Sequence, residues 1–165
     1  MLSPDQREAA RTDPLSFRHV VGKGAGSSHG EAQEWLRYAT AQGALRRFGP
    51  GVLVYQIAKG DLVATGLICD VSLGAYDSGR VKRHETTIAK TEQKMADYMR
   101  TTRIYGNPVA LAHRGHREFD AAIAVHAERE PDLAFVAADG FSHTMWAVEG
   151  QAARDLCLGF TDVLY

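Results

Sequence analysis

The 165-residue chain contains no apolar run near the roughly 18 residues that a membrane-crossing helix needs. Its opening, MLSPDQREAARTDP, is polar and lacks the apolar stretch of a secretory signal. There are only two cysteines, Cys69 in GLICDV and Cys157 in LCLGF. Two thiols in apolar runs make no disulfide framework; they read as small buried hydrophobes, and a reducing, cytoplasmic setting is expected. Charge of one sign is also lacking. A net charge of −1 gives no electrostatic ground for a nucleic-acid or acidic-membrane partner. No helix-turn-helix signal appears either. Ser72, Ser78 and Ser142 lack the Gly-x-Ser-x-Gly setting of a nucleophile elbow. The glycine-rich run Gly22 to Gly30 has neither the Gly-Lys-Ser/Thr ending of a Walker A loop nor a Gly-x-Gly-x-x-Gly fingerprint, and reads as a mobile surface loop.

What is present is an ordinary globular composition, 45% hydrophobic and 24% charged, in a length that fits one domain with its own core. Ser3-Pro4-Asp5 signals a helix start, and Asp13-Pro14 its end. Leu15 to Val21 alternates like a strand, with His19 as a structural residue within it. Glu31 to Arg47 places Ala32, Trp35, Leu36, Ala39 and Leu45 at helical spacing, and Gly49-Pro50-Gly51 breaks the pattern. Val52 to Ile57 and Leu62 to Leu73 form a predicted hairpin about Lys59-Gly60-Asp61, with Gly66 marking a bulge or close approach. Tyr76 to Gly79 reads as a turn. Thr86 or Thr87 is a candidate cap for a helix reaching Thr102, with Ile88, Met95, Tyr98 and Met99 on one face. A short strand is expected over Val109 to Ala112 and a helix over Arg117 to Arg129. Leu133 to Ala137 and Phe141 to Val148 pair around Asp139-Gly140, a two-residue hairpin signal. Gln151 to Phe160 is a last helix, and Val163 to Tyr165 starts a strand. The hairpins predict an α+β fold in a single domain (residues 1–165), with a mixed or mainly antiparallel sheet and flanking helices.

The densest polar run is Tyr76 to Glu85, YDSGRVKRHE. It follows a predicted strand and leads into a predicted helix, whose opening N–H groups and dipole favour an anion. Lys82 and Arg83 can add positive charge for a phosphate. Glu85 can accept a proton from a hydroxyl nucleophile held beside it. On composition alone the same run is a solvated charged turn, so both readings stand. His113 and His116 have no cysteine or carboxylate at ligand spacing beside them, and no metal site is expected. Gly115-His116-Arg117 reads as a helix-starting turn, and Trp35 and Trp146 as core residues.

The run GRVKRHETTIAKTEQKM resembles the signature of the domain-of-unknown-function 1015 family, in which Lys-Arg-His-Glu and a threonine precede a charged helix. The segments LSPDQREAARTDPLSFRHVV, VLVYQ, TGLICDVSLGAYDSG, Asn107-Pro108-Val109 and DGFSHTMWAV resemble its other blocks, so the likeness covers nearly the whole chain. That family's usual Pro-Tyr-Asp-Val beginning and Asp-Gly-His-His-Arg continuation are not in this sequence, so the resemblance implies a chain truncated at both ends. The continuation is similar to the phosphate-binding turn of ParB-type domains, sulfiredoxin and free-serine kinases. The resemblance thus implies a nucleotide-dependent phosphotransferase acting on a small hydroxylated metabolite such as serine, with ATP or ADP and Mg as cofactors. In it His84 and Glu85 would be the catalytic pair, and Lys82, Arg83 and Thr87 would bind phosphate or substrate. This chain would lack the phosphate-binding turn and be inactive alone. The alternative is a non-catalytic module that binds a nucleotide or phosphorylated metabolite, or docks a partner. Self-association through the C-terminal strand is a further expectation.

Overall fold

In the computed structural model, the described residues are 3–21, 29–82, 88–106 and 108–161. The fold is α+β, built from helices and a four-stranded, wholly antiparallel sheet. The chain divides into two compact units. One comprises Met1–Arg47 and Glu85–Pro108, the other Phe48–His84 and Val109–Tyr165.

The first unit is helical. In α1 (Pro4–Thr12) the Ser3 hydroxyl accepts from the Gln6 amide while Gln6 Oε1 accepts from the Ser3 amide, a reciprocal capping box. The predicted strand at Leu15 to Val21 is instead a set of turns ending in the short helix α2 (Arg18–Val21). The cause is local and tertiary. Asp13 Oδ1 accepts from the Leu15 amide at 2.8 Å, and successive bonds from Ser16, His19 and Val20 back to Asp13, Ser16 and Phe17 coil the chain. His19 therefore lies in a helical turn, its Nε2 2.9 Å from Asp13 O.

Helix α3 (His29–Ala41) buries Ala32, Trp35 and Ala39 with Val20 and Ile104. It stops short of Leu45 because Gly43 takes the left-handed conformation at φ 68°. Trp35 also donates Nε1–H to Pro14 O at 3.0 Å. The last helix of this unit, α5 (Ala89–Thr102), is held against α3 by Gln33 Nε2 donating to Thr101 O at 3.0 Å. Tyr98 and Leu36 flank the same cluster. Ile88 and Met95 stay exposed, so the apolar face expected of α5 is only partly used.

The second unit is built on the sheet. Strands β1 (Gly51–Lys59) and β2 (Leu62–Ile68) form the expected hairpin, with Gly60 at positive φ in the turn. β2 is shorter than predicted, because the chain leaves the ladder after Ile68 and Ser72 caps α4 (Leu73–Asp77). This helix replaces part of the turn expected at Tyr76 to Gly79. Gly66 makes no bulge and lies in unbroken register opposite Tyr55. Residues 109–112 do not form the expected strand. Helix α6 (Arg117–Ala127) is capped by His116, whose Nδ1 accepts from the Phe119 amide.

Strands β3 (Leu133–Val136) and β4 (Ser142–Glu149) follow, then α7 (Gly150–Thr161). Their connection is a three-residue loop rather than a two-residue turn. Gly140 N–H donates to Ala137 O, Ala137 N–H donates to Phe141 O, and Gly140 takes φ 81° as the left-handed closing residue.

The sheet order is β2-β1-β4-β3. One face carries Val52, Val54, Trp146 and Val148, which pack with Phe119 and Ile123 of α6 and Ala153 and Leu156 of α7. At the exposed start of β1, the backbone of Gly51 runs so close to β4 that a Cβ would collide with the Val148 carbonyl. This close approach is why glycine is required there. Trp146 donates Nε1–H to Arg129 O at 2.8 Å, so the indole is buried with its polar atom paired. Strand β3 is too short to cover β4. Beyond it, Asp132 Oδ2 accepts from the Ala147 amide at 2.9 Å and Arg129 donates to Ala147 O at 3.2 Å. Two side chains thus finish the edge that the missing strand residues leave.

Candidate functional site

The run Lys82 to Thr87 lies between α4 and α5 in the chain. Among its residues, Lys82 is described and is exposed. It follows a turn in which Gly79 adopts φ 75° and Val81 N–H donates to Ala75 O at 3.0 Å. Arg83, His84, Glu85 and Thr87 lie outside the described residues, as do both threonines considered as caps for α5. The C-terminal residues 163–165, considered for self-association, lie outside them too.

The helix that follows the run is α5. Ile88 occupies the N-cap position with extended backbone, and its carbonyl accepts from the Thr91 and Glu92 amides. Its aliphatic side chain supplies no capping oxygen. A branched apolar residue at this position leaves the opening amides of α5 without the usual Ser, Thr, Asp or Asn partner from the N-cap. At its far end α5 is fixed. Thr102 is buried, donates its hydroxyl to Tyr98 O at 2.8 Å and accepts from the Ile104 amide. The Lys-Arg-His-Glu run thus leads into the start of a fourteen-residue helix anchored at its other end.

Cys69, just past β2, is half-buried with Cys157 against the sheet core. Burial pushes the Cys69 thiol up from its ordinary range, and Cys157 and Asp70 add to the effect. It stays a protonated, poorly nucleophilic thiol near neutrality, in line with its reading as a small hydrophobe. His113 Nδ1 lies 2.8 Å from Arg114 O, and His116 is engaged as the α6 cap. Among the described residues, no three His, Cys, Asp or Glu side chains gather as metal ligands. No described helix is long and apolar enough to cross a membrane.

Sequence reasoning passed over a second cluster, on the sheet face away from α6 and α7. The Tyr55 hydroxyl lies 2.6 Å from His143 Nδ1. The His143 ring stacks on Phe135 with centroids 4.8 Å apart and planes 12° from parallel. Toward the hairpin end, Lys59 Nζ sits 4.8 Å above the Phe141 ring and donates to Asp139 O at 2.6 Å. Tyr55 and His143 are 88 positions apart in the chain. Only the β1–β4 register brings them together, and no local motif announces it.

These features define an α+β protein whose antiparallel sheet is backed on one face by two helices and whose charged signature run precedes a helix. The chain belongs to the family described as "Protein of unknown function (DUF1015)", whose model matches residues 1–160. No curated protein and no solved structure matches it.

Proposed function

We propose that the Lys82 to Thr87 run binds the phosphate of a nucleotide or phosphorylated metabolite, and that, joined to the family's phosphate-binding turn, it serves phosphoryl transfer to a small hydroxylated metabolite such as serine in the cytoplasm. The observation that supports this reading is the start of α5. A run bearing Lys82 and Arg83 leads into a long helix whose N-cap, Ile88, brings no capping oxygen of its own. Helix N-termini of this kind favour anions, because their amides and dipole point the same way. In this reading Lys82 and Arg83 offset phosphate charge, and Thr87 contributes a hydroxyl to the ligand. Glu85, with His84 beside it, takes the proton of the attacking hydroxyl while the nucleoside diphosphate leaves with the γ-phosphate bond electrons.

The cations and the helix start suit the phosphates of ATP or ADP. The described residues offer no cluster of metal ligands, so no step is assigned to Mg. Calorimetric titration of the chain with ADP, with and without Mg, tests the binding half. Saturable binding that Lys82→Ala and Arg83→Ala each weaken by about tenfold, the loss of one charge-assisted phosphate contact, is the expected result. Absence of binding to ADP, ATP and phosphoserine alike would remove the proposal. In a chain that carries the family's Asp-Gly-His-His-Arg continuation, Glu85→Gln should lose transfer of phosphate to serine while still binding nucleotide; equal transfer in that variant would end the role of Glu85 as base and leave a binding module.

A further inference from the structure

We propose that the sheet face opposite α6 and α7 is the contact surface of a homodimer, in which two copies stack these faces on each other. The β-ladder register lays out the face in rows. One runs Gly66, Tyr55, Met145, Leu133, and the next runs Ala64, Ile57, His143, Phe135. His143 is the only ionisable imidazole, carboxylate or amine in these rows, and its Nδ1 already faces the Tyr55 hydroxyl. Within this unit, both helices that touch the sheet pack on the Val54 and Trp146 side. Leu133 and Phe135 are accordingly 48% and 47% exposed. A sheet that presents apolar side chains on both faces lacks the alternation of a half-solvated antiparallel sheet. Monomeric proteins rarely expose contiguous apolar patches larger than a few hundred Å², and larger ones mark interaction sites.

Area and charge both point to a second copy as the occupant. Four strands at about 4.8 Å spacing and some seven residues at about 3.4 Å rise give a projected face of roughly 450 Å² per copy. Side-chain relief raises the accessible area above that projection. Two such faces therefore bury about 1,000 Å² or more in total, where specific interfaces begin. Charge fixes the orientation. Lys59 lies at one end of this face and Glu149 at the other, since Glu149 pairs with Gly51 and Lys59 with Leu62. A two-fold axis in the plane of the sheets and across the strands brings Lys59 over the partner's Glu149. An axis along the strands would set lysine against lysine. Rim pairs of this kind add little affinity but select register. The strands of the two sheets would then cross at about 30°, as in aligned sandwiches.

Sedimentation velocity and light scattering on the whole chain test this. The wild type is expected to be a dimer at about 100 μM, within reach of an interface of this size. Phe135→Glu and Met145→Glu, two substitutions on the face, should each shift it to monomer with unchanged far-ultraviolet circular dichroism. Leu158→Glu, an exposed apolar site on α7, should leave the dimer intact. Carbodiimide treatment should link Lys59 of one copy to Glu149 of the other, a cross-link identifiable in the digested dimer. A wild type that remains monomeric at this concentration overturns the proposal, whatever else covers the face. So does a dimer that persists in both glutamate variants.

Discussion

The two units solve the same problem with different means. Each is centred on one tryptophan whose indole N–H donates to a distant backbone carbonyl: Trp35 to Pro14 in the first, Trp146 to Arg129 in the second. Around Trp35 the buried partners are Ala32, Ala39, Val20 and Ile104, with Leu36 and Tyr98 at the margin and the Phe17 ring edge-on at 5.7 Å between centroids. Around Trp146 they are Val52, Val54 and Val148 from the sheet, with Phe119, Ile123, Ala153 and Leu156 from two helices. The second core also has a four-strand ladder beneath it, so its backbone polar groups are paired independently of side-chain packing. The first relies on helix ends and side-chain bonds such as Gln33 to Thr101 to hold separate stretches of chain together. Among the described residues the first cluster buries five side chains and the second eight, so the first gains less from burial, because the gain scales with the area removed from water.

The two units differ most at their tryptophans. Trp146→Ala removes a side chain that is only 4% exposed and should cost about 3–5 kcal/mol. Trp35→Ala should fall at or below the lower end of that range, because the indole is 8% exposed and Phe17 beside it is itself 41% exposed, so less area returns to water. The two tryptophans are the only ones in the chain, so each variant leaves a single fluorophore reporting on the other unit. Urea titrations followed by far-ultraviolet dichroism should show a larger midpoint change for Trp146→Ala than for Trp35→Ala, while the fluorescence of the remaining indole should keep a midpoint nearer that of the wild type. Equal shifts in both variants and both probes would mean that the units unfold as one, and the contrast drawn between their cores would not survive.

The same contrast explains what the sequence disclosed. The β1–β2 and β3–β4 hairpins are legible because apolar runs flank the Gly60 and Asp139-Gly140 turns, whereas the pairing of β1 with β4 is marked by no local signal. The caps at Ser3 and the core roles of Trp35 and Trp146 followed from local chemistry in the same way. Leu15 to Val21 misled, because its β-branched residues favour a strand while the Asp13 turn and the packing of Val20 beside Trp35 impose helical turns. Val109 to Ala112 misled for a related reason, since an apolar run does not pair without a neighbouring strand. The candidate phosphate run was visible only as residue types in order. The Tyr55–His143–Phe135 cluster was invisible, because it exists only once β1, β4 and β3 are in register. Periodicity reports which face a residue takes; it does not report which residues of other strands share that face.

A smaller effect is expected at the edge of the second unit's sheet. Asp132→Ala should leave the part-buried Ala147 amide without its carboxylate acceptor and cost about 1–3 kcal/mol. Asp132→Asn keeps an acceptor and should recover more than half of that loss. Amide hydrogen exchange at Ala147 is the direct measurement. Exchange in the alanine variant as slow as in the wild type would show that β4 is finished by something other than this side chain.

The least of the expected effects is a pH dependence in the same corner of the molecule. His126, in the last turn of α6, has its pKa lowered from the usual imidazole value of 6.5, first by burial and then by the nearby Arg129 guanidinium. The folded state therefore holds fewer protons on this ring than the unfolded state does in the window below 6.5. Stability contributed by the neutral ring is fully present above the unfolded value and falls as pH drops through the lower folded value. Much of the ring reaches solvent, so screening keeps the slope shallow. Arg129 also donates to Ala147 O and accepts the Trp146 indole through its own carbonyl. Protonation of His126 thus sets a like charge beside the residue that ties α6 to β4. His126→Gln removes the titrating group and should flatten the decline in melting temperature between pH 7 and pH 5 relative to the wild type. An identical decline in the variant would assign the acid sensitivity to other groups and leave Arg129 anchored regardless of its neighbour's charge.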